Sequence, residues 1–214
     1  RAIEWVPALL EAVRGMGTLG IGKGRGTFSL HRVVSLDKSG NESETLYDGN
    51  RLDKPSLLLG LNEAEPASNG HGCRRFRLRF ISPLRMTYQG DQVQTPEFHI
   101  LIGNLVRRIE NLARFHCDCS ESLPVDELIA KARDVRLIAN RTYWYDWQRY
   151  SHRQGRKMRL GGLVGEAVYE GDPDLFEPYL TAGTWVNVGK ATAFGLGRYA
   201  LESVTEARTF ERKE

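Results

Sequence analysis

A helix, then a bend made largely of glycine, then a strand: this order occurs twice in the chain and restricts what it can become. Residues 176–184 (FEPYLTAGT) are apolar at helical spacing and end near Ala-Gly. Residues 188–199 (VGKATAFGLGRY) are rich in glycine and carry one lysine, and residues 198–204 alternate as a strand does. Residues 1–30 follow the same course. A helical pattern over 3–13 is followed by Gly15, Gly17, Gly20, Gly22, Gly24 and Gly26, and then by a strand expected over 27–34. A recurring supersecondary unit predicts two related modules in one chain.

Glycine suits such bends for one of two reasons. Backbone N–H groups must approach an anion that a Cβ would hold off, or the chain must turn with φ > 0. A tight loop that merely closes a domain satisfies the second reason alone. Charge favours the first: there is no Asp or Glu from Pro178 to Leu201, and none from Ala12 to Leu36. An acid-free surface is what a phosphate-facing bend needs.

Two nucleotide motifs can be laid on the first bend, and both fail on context. Gly15-x-Gly17-x-x-Gly20 matches the dinucleotide fingerprint, and Gly17-x-x-x-x-Gly22-Lys23 nearly matches a P-loop. Each requires a strand before and a helix after, so that phosphate meets a helix N-terminus. Here the order is reversed, and Gly24 stands where a P-loop has its magnesium-binding hydroxyl. Nucleotide hydrolysis and Rossmann binding are excluded.

With 214 residues, 41% of them hydrophobic and 27% charged, the chain can bury a proper core. The net charge of +3 hides clustering. Arg74, Arg75, Arg77, Arg79 and Arg85 lie in an acid-free window from His71 to Gly90, and residues 149–159 hold five Lys and Arg with no acid. Clustered positive charge on a near-neutral chain points to nucleic acid. The odd cysteine count (Cys73, Cys117, Cys119) offers no disulfide framework and fits a reduced, cytoplasmic setting. Cys117-Asp118-Cys119 beside His116 is too closely spaced for an ordinary zinc site, so neither metal nor cofactor is expected. No apolar run is long enough to span a membrane. The chain starts with Arg1 inside a helical pattern, so further residues are expected upstream.

Residues 37–72 are polar and interrupted by Gly, Pro, Asn and Ser, with a small strand pair near Thr45–Tyr47; they read as a connector. Residues 74–81 (RRFRLRFI) alternate strictly, with Phe76, Leu78 and Phe80 facing a core and Arg75, Arg77 and Arg79 facing away. Three guanidiniums in line repel, which a covering polyanion would relieve; a solvated sheet face is the alternative. Thr95-Pro96-Glu97 starts a helix whose buried stripe is Phe98, Leu101, Ile102, Leu105, Ile109 and Leu112. A shorter helix follows at 125–132. A long hairpin then runs through 135–150 and 157–171 around a basic turn at 151–156. Its Tyr143, Trp144 and Tyr145 read first as core of a central strand, or else as rings that stack on bases.

From Arg74 on, the order is β-α-β-β-α-β, an α+β ferredoxin-like arrangement with an antiparallel sheet and two helices on one face. The expected division is an α-β remnant of a first such module at 1–36, a connector at 37–72, a complete module at 73–204 and a tail at 205–214.

These stretches together resemble the CRISPR-associated repeat-processing endoribonucleases of the RAMP superfamily, in their C-terminal part. The resemblance rests on residues 20–28 (GIGKGRGTF), 82–85 (SPLR), 147–154 (WQRYSHRQ), 161–171 with Gly165 and Tyr169, and 188–199. Its hallmark is a glycine-rich loop between the last helix and last strand of a ferredoxin-like module, which Val188-Gly189-Lys190 and Phe194-Gly195-Leu196-Gly197 match. The resemblance implies binding of CRISPR repeat RNA and metal-independent cleavage in the full-length protein, with the 2′-OH attacking the adjacent phosphate. A non-catalytic RNA-binding or scaffolding subunit of a CRISPR complex is the alternative, and other CRISPR-associated proteins are the other partners implied. RNA contacts are expected from Gly22, Lys23, Gly24, Arg25 and Gly26 in the first bend, and from Arg75, Arg77 and Arg79 on the sheet. Arg149, Arg153 and Lys157 at the hairpin tip, and Lys190, Gly195, Gly197 and Arg198 in the second bend, complete the set. No catalytic residue carries over by position. His152 in the basic turn is the local candidate, beside His31, Tyr150 and Lys157.

Overall fold

The first helix runs longer than its apolar pattern predicts. In the computed structural model, which describes residues 2–22, 24–37, 41–53, 74–117, 122–151 and 155–203, a 3-10 turn over Ala2–Trp5 leads into helix α1, Val6–Leu19. The helix passes straight through Gly15 and Gly17. At Gly17 the missing side chain allows a close approach, because a Cβ there would stand 2.3 Å from the Phe28 carbonyl oxygen. The Phe28 N–H donates to the Gly17 carbonyl at 3.1 Å. Termination falls at Gly20, φ +78°, whose N–H returns to the Met16 carbonyl at 2.9 Å. The strand expected over 27–34 is displaced to β1, Val33–Leu36, which pairs antiparallel with β2, Glu42–Tyr47. Its expected first residues are held against α1 instead of entering a ladder.

The chain divides into two compact units, Arg1–Glu63 and Ala64–Glu214. α1, β1 and β2 belong to the first, where Leu46 and Tyr47 are buried. Most of the expected connector, residues 54–73, lies outside the described residues.

The second unit is built on β3, Arg74–Leu84, three residues longer than its alternating pattern. It is followed by a short hairpin of β4, Thr87–Tyr88, and β5, Asp91–Gln92. Helix α2, Phe98–His116, and helix α3, Val125–Lys131, come next. The long ribbon comprises β6, Arg136–Tyr145; β7, Gln148–Ser151; β8, Arg156–Arg159; and β9, Gly162–Gly171. Helix α4, Glu177–Val186, and strand β10, Tyr199–Ser203, complete it. The main sheet has the order β10-β3-β9-β6 with every neighbouring pair antiparallel. β6 is therefore an edge strand and not a central one.

Period-two alternation explains the core. Phe76, Leu78 and Phe80 turn inward from β3 and meet the α2 stripe of Phe98, Leu101, Ile102, Leu105 and Ile109, all buried. Leu112, expected on that stripe, is only partly covered. Phe98 packs edge-on against both Phe76 and Phe176, with centroids 5.5 and 5.2 Å apart. Each fully buried ring or Leu contributes about 1.5–3 kcal/mol. The helix starts two residues later than the Thr95-Pro96 signal predicts, with Glu97 at the N-cap and no side-chain capping bond. The Pro96 carbonyl instead accepts the buried Tyr169 hydroxyl at 2.6 Å, tying the entry of α2 to β9.

Candidate nucleic-acid interface

The second glycine bend, residues 187–198, is stitched to the end of β3. The Arg198 N–H donates to Ser82 Oγ at 2.9 Å, the Gly197 N–H to the Pro83 carbonyl at 3.0 Å, and the Lys190 N–H to the Arg85 carbonyl at 2.7 Å. In return, the Ile81 N–H donates to the Arg198 carbonyl at 2.8 Å. The Ser82-Pro83-Leu84-Arg85 segment is thus the seat of the loop.

This stitching sorts the glycines. A Cβ at Gly197, φ +77°, would lie 1.8 Å from the Val188 carbonyl oxygen, and one at Gly189, φ +86°, 2.3 Å from that of Arg85. Both are glycine because protein backbone fills the space. Gly195, φ +80°, meets nothing within 4 Å. The N–H groups of Val188, Lys190, Phe194, Gly195, Gly197 and Arg198 are all spent on protein acceptors. What the loop does present outward is the Lys190 and Arg198 side chains, both exposed, around an exposed Gly195.

In the first unit, Ile21 and Gly26 pair across a tight turn, their N–H groups and carbonyls exchanging bonds of 2.9 and 3.0 Å. Gly22, φ +76°, and Gly24 face open space, and Arg25, φ +46°, is exposed. Lys23 lies outside the described residues.

The sheet face opposite the helices departs furthest from expectation. Arg75, Arg77 and Arg79 do point outward, but neighbouring strands supply carboxylates. Glu170 takes Arg75 at 2.9 Å and Arg136 at 2.6 Å. Glu166 takes Arg77 at 3.6 Å and Arg141 at 3.2 Å, and Glu202 takes Arg77 at 3.7 Å and Arg79 at 3.1 Å. The register causes this, placing Glu170 opposite Arg75, Glu166 opposite Arg79 and Glu202 opposite Arg77. The hydrogen bond from Arg75, backed by Arg136, holds the Glu170 carboxyl below the usual carboxylate range. Mutual repulsion among these guanidiniums is therefore relieved within the protein, and it is not a reason for a polyanion to cover them.

The hairpin aromatics are not core. Tyr143 is 63% exposed, Trp144 36%, Tyr145 49% and Trp147 37%. Strict alternation would have assigned them to two faces, one buried; being on an edge strand near its end leaves both open. The backbone places Arg149 on β7 and Lys157 on β8. His152 and Arg153 lie outside the described residues, as do Cys73, Asp118 and Cys119. His31 and Cys117 are exposed. Among the described residues no helix is long and apolar enough to cross a membrane.

Helix, seated glycine loop and closing strand, on an α+β unit with an antiparallel sheet, define the kind of molecule. A family model described as CRISPR-associated endoribonuclease Cas6 matches residues 78–199, more than half of the chain, and the chain belongs to that family. A second model, described as an N-terminal domain, matches residues 1–58. No curated protein matches. Among solved structures the chain is similar to a Cas6 product complex, at 24% identity over 63% of this chain and 54% of that one, TM-score 0.42. It is also similar to Thermus thermophilus Cas6 (15% identity, 60% and 53% covered, TM-score 0.41). A third is a partial Cas6-RT-Cas1–Cas2 complex (15% identity, 78% and 31% covered, TM-score 0.49). The chain spans about half the length of the first of these relatives.

Proposed function

We propose that this chain binds CRISPR repeat RNA and that the whole protein processes precursor CRISPR RNA by metal-independent cleavage. The observation that carries the reading is the family match over residues 78–199, which runs from β3 through the seated glycine loop to the first residue of β10. The β-α-β-β-α-β order and the sheet order support reading the second unit as a ferredoxin-like module of the RAMP type. In the proposed reaction a general base takes the proton of a ribose 2′-OH and the freed oxygen bonds to the adjacent phosphorus. The P–O5′ bond breaks, a general acid protonates the departing 5′-oxygen, and a cyclic phosphate remains. The RNA contacts proposed are the exposed Lys190 and Arg198 beside Gly195, the Gly22–Gly26 turn with Lys23 and Arg25, and Arg149, Arg153 and Lys157 on the hairpin. His152 is the local candidate for acid–base work. Companion CRISPR-associated proteins are proposed partners.

The test is to incubate the whole protein with end-labelled repeat RNA in EDTA. A discrete product ending in a cyclic phosphate is expected. In a parallel reaction with magnesium in place of EDTA, binding without a product in either assigns a gripping or scaffolding role, and cleavage seen only with magnesium overturns the metal-independent step.

A further inference from the structure

We infer that Tyr143 and Tyr145 form a stacking platform for an unpaired stretch of RNA, a subsite distinct from the glycine loop; the inference rests on the RNA-binding reading above. Register fixes the geometry. Tyr143 pairs with Val164, Tyr145 with Gly162 and Arg141 with Glu166. The two tyrosines therefore stand on the face that carries Arg141 and Glu166, away from the helices. Their neighbours across the ladder are small, yet the rings are 63% and 49% exposed. Trp144, on the other face, is differently placed: a Cβ at Gly161 would come within 2.9 Å of its Nε1, so its ring lies over that glycine and anchors the ribbon.

Spacing selects the form of the RNA. Residues two apart on a strand stand about 6.8 Å from each other. Stacked consecutive bases lie about 3.4 Å apart, the spacing along one strand of a DNA duplex. Two rings at twice that spacing suit bases drawn apart, as in the unpaired segments where proteins read RNA.

Charge selects RNA over protein as the occupant. Besides Arg136 and Arg141, which Glu170 and Glu166 hold, residues 135–160 contain five Lys and Arg and a single acid, Asp146. The Leu160 N–H donates to the Trp147 carbonyl at 2.7 Å, joining the β6–β9 ladder to the β7–β8 hairpin as one ribbon. That ribbon places Arg149, Arg156, Lys157 and Arg159 just past the platform. Aromatic rings next to a run of cations make a surface for single-stranded nucleic acid.

The experiment uses the whole chain, a fluorescent 12-mer of oligoadenylate as unpaired probe and a blunt RNA duplex as control. Tyr143→Ala/Tyr145→Ala is expected to weaken binding of the 12-mer by about tenfold or more. Duplex binding and the dependence of log K on log salt should stay unchanged, since no cation is removed. Tyr143→Phe/Tyr145→Phe keeps both rings and is expected to bind as wild type. Equal weakening by the Ala and Phe variants, equal loss on both probes, or no loss at all overturns the platform. So does a shift from dimer to monomer in the Ala variant with RNA affinity intact, which assigns the edge to a second copy. If the wild-type protein binds neither probe nor repeat RNA, the RNA-binding reading itself fails.

Discussion

The Tyr199 hydroxyl donates to the Leu180 carbonyl at 2.6 Å, and these two residues bracket the whole glycine-rich bend. Helix α4 and strand β10 are thereby fastened to each other independently of the loop between them. Gly183 makes room for the bond, since a Cβ there would lie 2.1 Å from that hydroxyl.

Tyr199→Phe removes the hydroxyl's bond to the Leu180 carbonyl, which lies within helix α4, and should lower stability by about 0.5–1.5 kcal/mol in urea unfolding. Tyr169→Phe should act similarly through Pro96. Burial pushes both hydroxyls well above the ordinary 10.0. A raised folded-state value means that the stabilisation is complete below about pH 10 and declines as pH climbs further. Wild type should therefore lose more stability than either variant in alkaline titration followed by circular dichroism.

The loop glycines should separate by what surrounds them. Gly197→Ala forces a side chain into the Val188 backbone and should unfold the second unit or lower its melting temperature steeply. Gly195→Ala faces open space, so only the left-handed backbone penalty of about 1–2 kcal/mol applies. Similar melting curves for the two variants would contradict this packing.

Glu170→Gln removes the carboxylate shared by Arg75 and Arg136. The Glu170 value is depressed in the fold from an ordinary 4.5, so its contribution is present above that pH and lost as pH falls through the folded value. Wild type should be the more stable near pH 7, with the gap closing in acid. A gap that persists at the lowest pH at which the protein stays folded would rule out the ion pairs as its source.

Lys190→Ala should weaken repeat-RNA binding and reduce the salt slope by about one. Its side chain is exposed and its backbone N–H bond to Arg85 survives the substitution, so the melting temperature should hold. A melting shift with unchanged affinity would show the lysine to be structural.

Much of the second unit was legible in the residues. The Phe76-Leu78-Phe80 alternation, the α2 stripe from Phe98 to Ile109 and the order of elements all appear where periodicity puts them, because burial of one face dictates each. Strand adjacency was not legible. That Glu166, Glu170 and Glu202 sit against the β3 arginines depends on pairings up to 125 positions away in the chain, from Arg77 to Glu202. The exposure of Tyr143 and Tyr145 depends on β6 lying at an edge, which its own composition does not disclose. For the glycines, sequence marks where backbone comes close but not to what. At Gly197 the close neighbour is the Val188 backbone.

Each of Glu166, Glu170 and Glu202 already serves two guanidiniums. A phosphate chain laid across those pairs would meet a competing carboxylate at every one of the five guanidiniums, which leaves little free energy to gain. The stretch of that side occupied by Arg75, Arg77, Arg79, Arg136 and Arg141 is therefore a poor resting place for stray nucleic acid, and Tyr143 and Tyr145 lie past its last ion pair, Arg141 with Glu166.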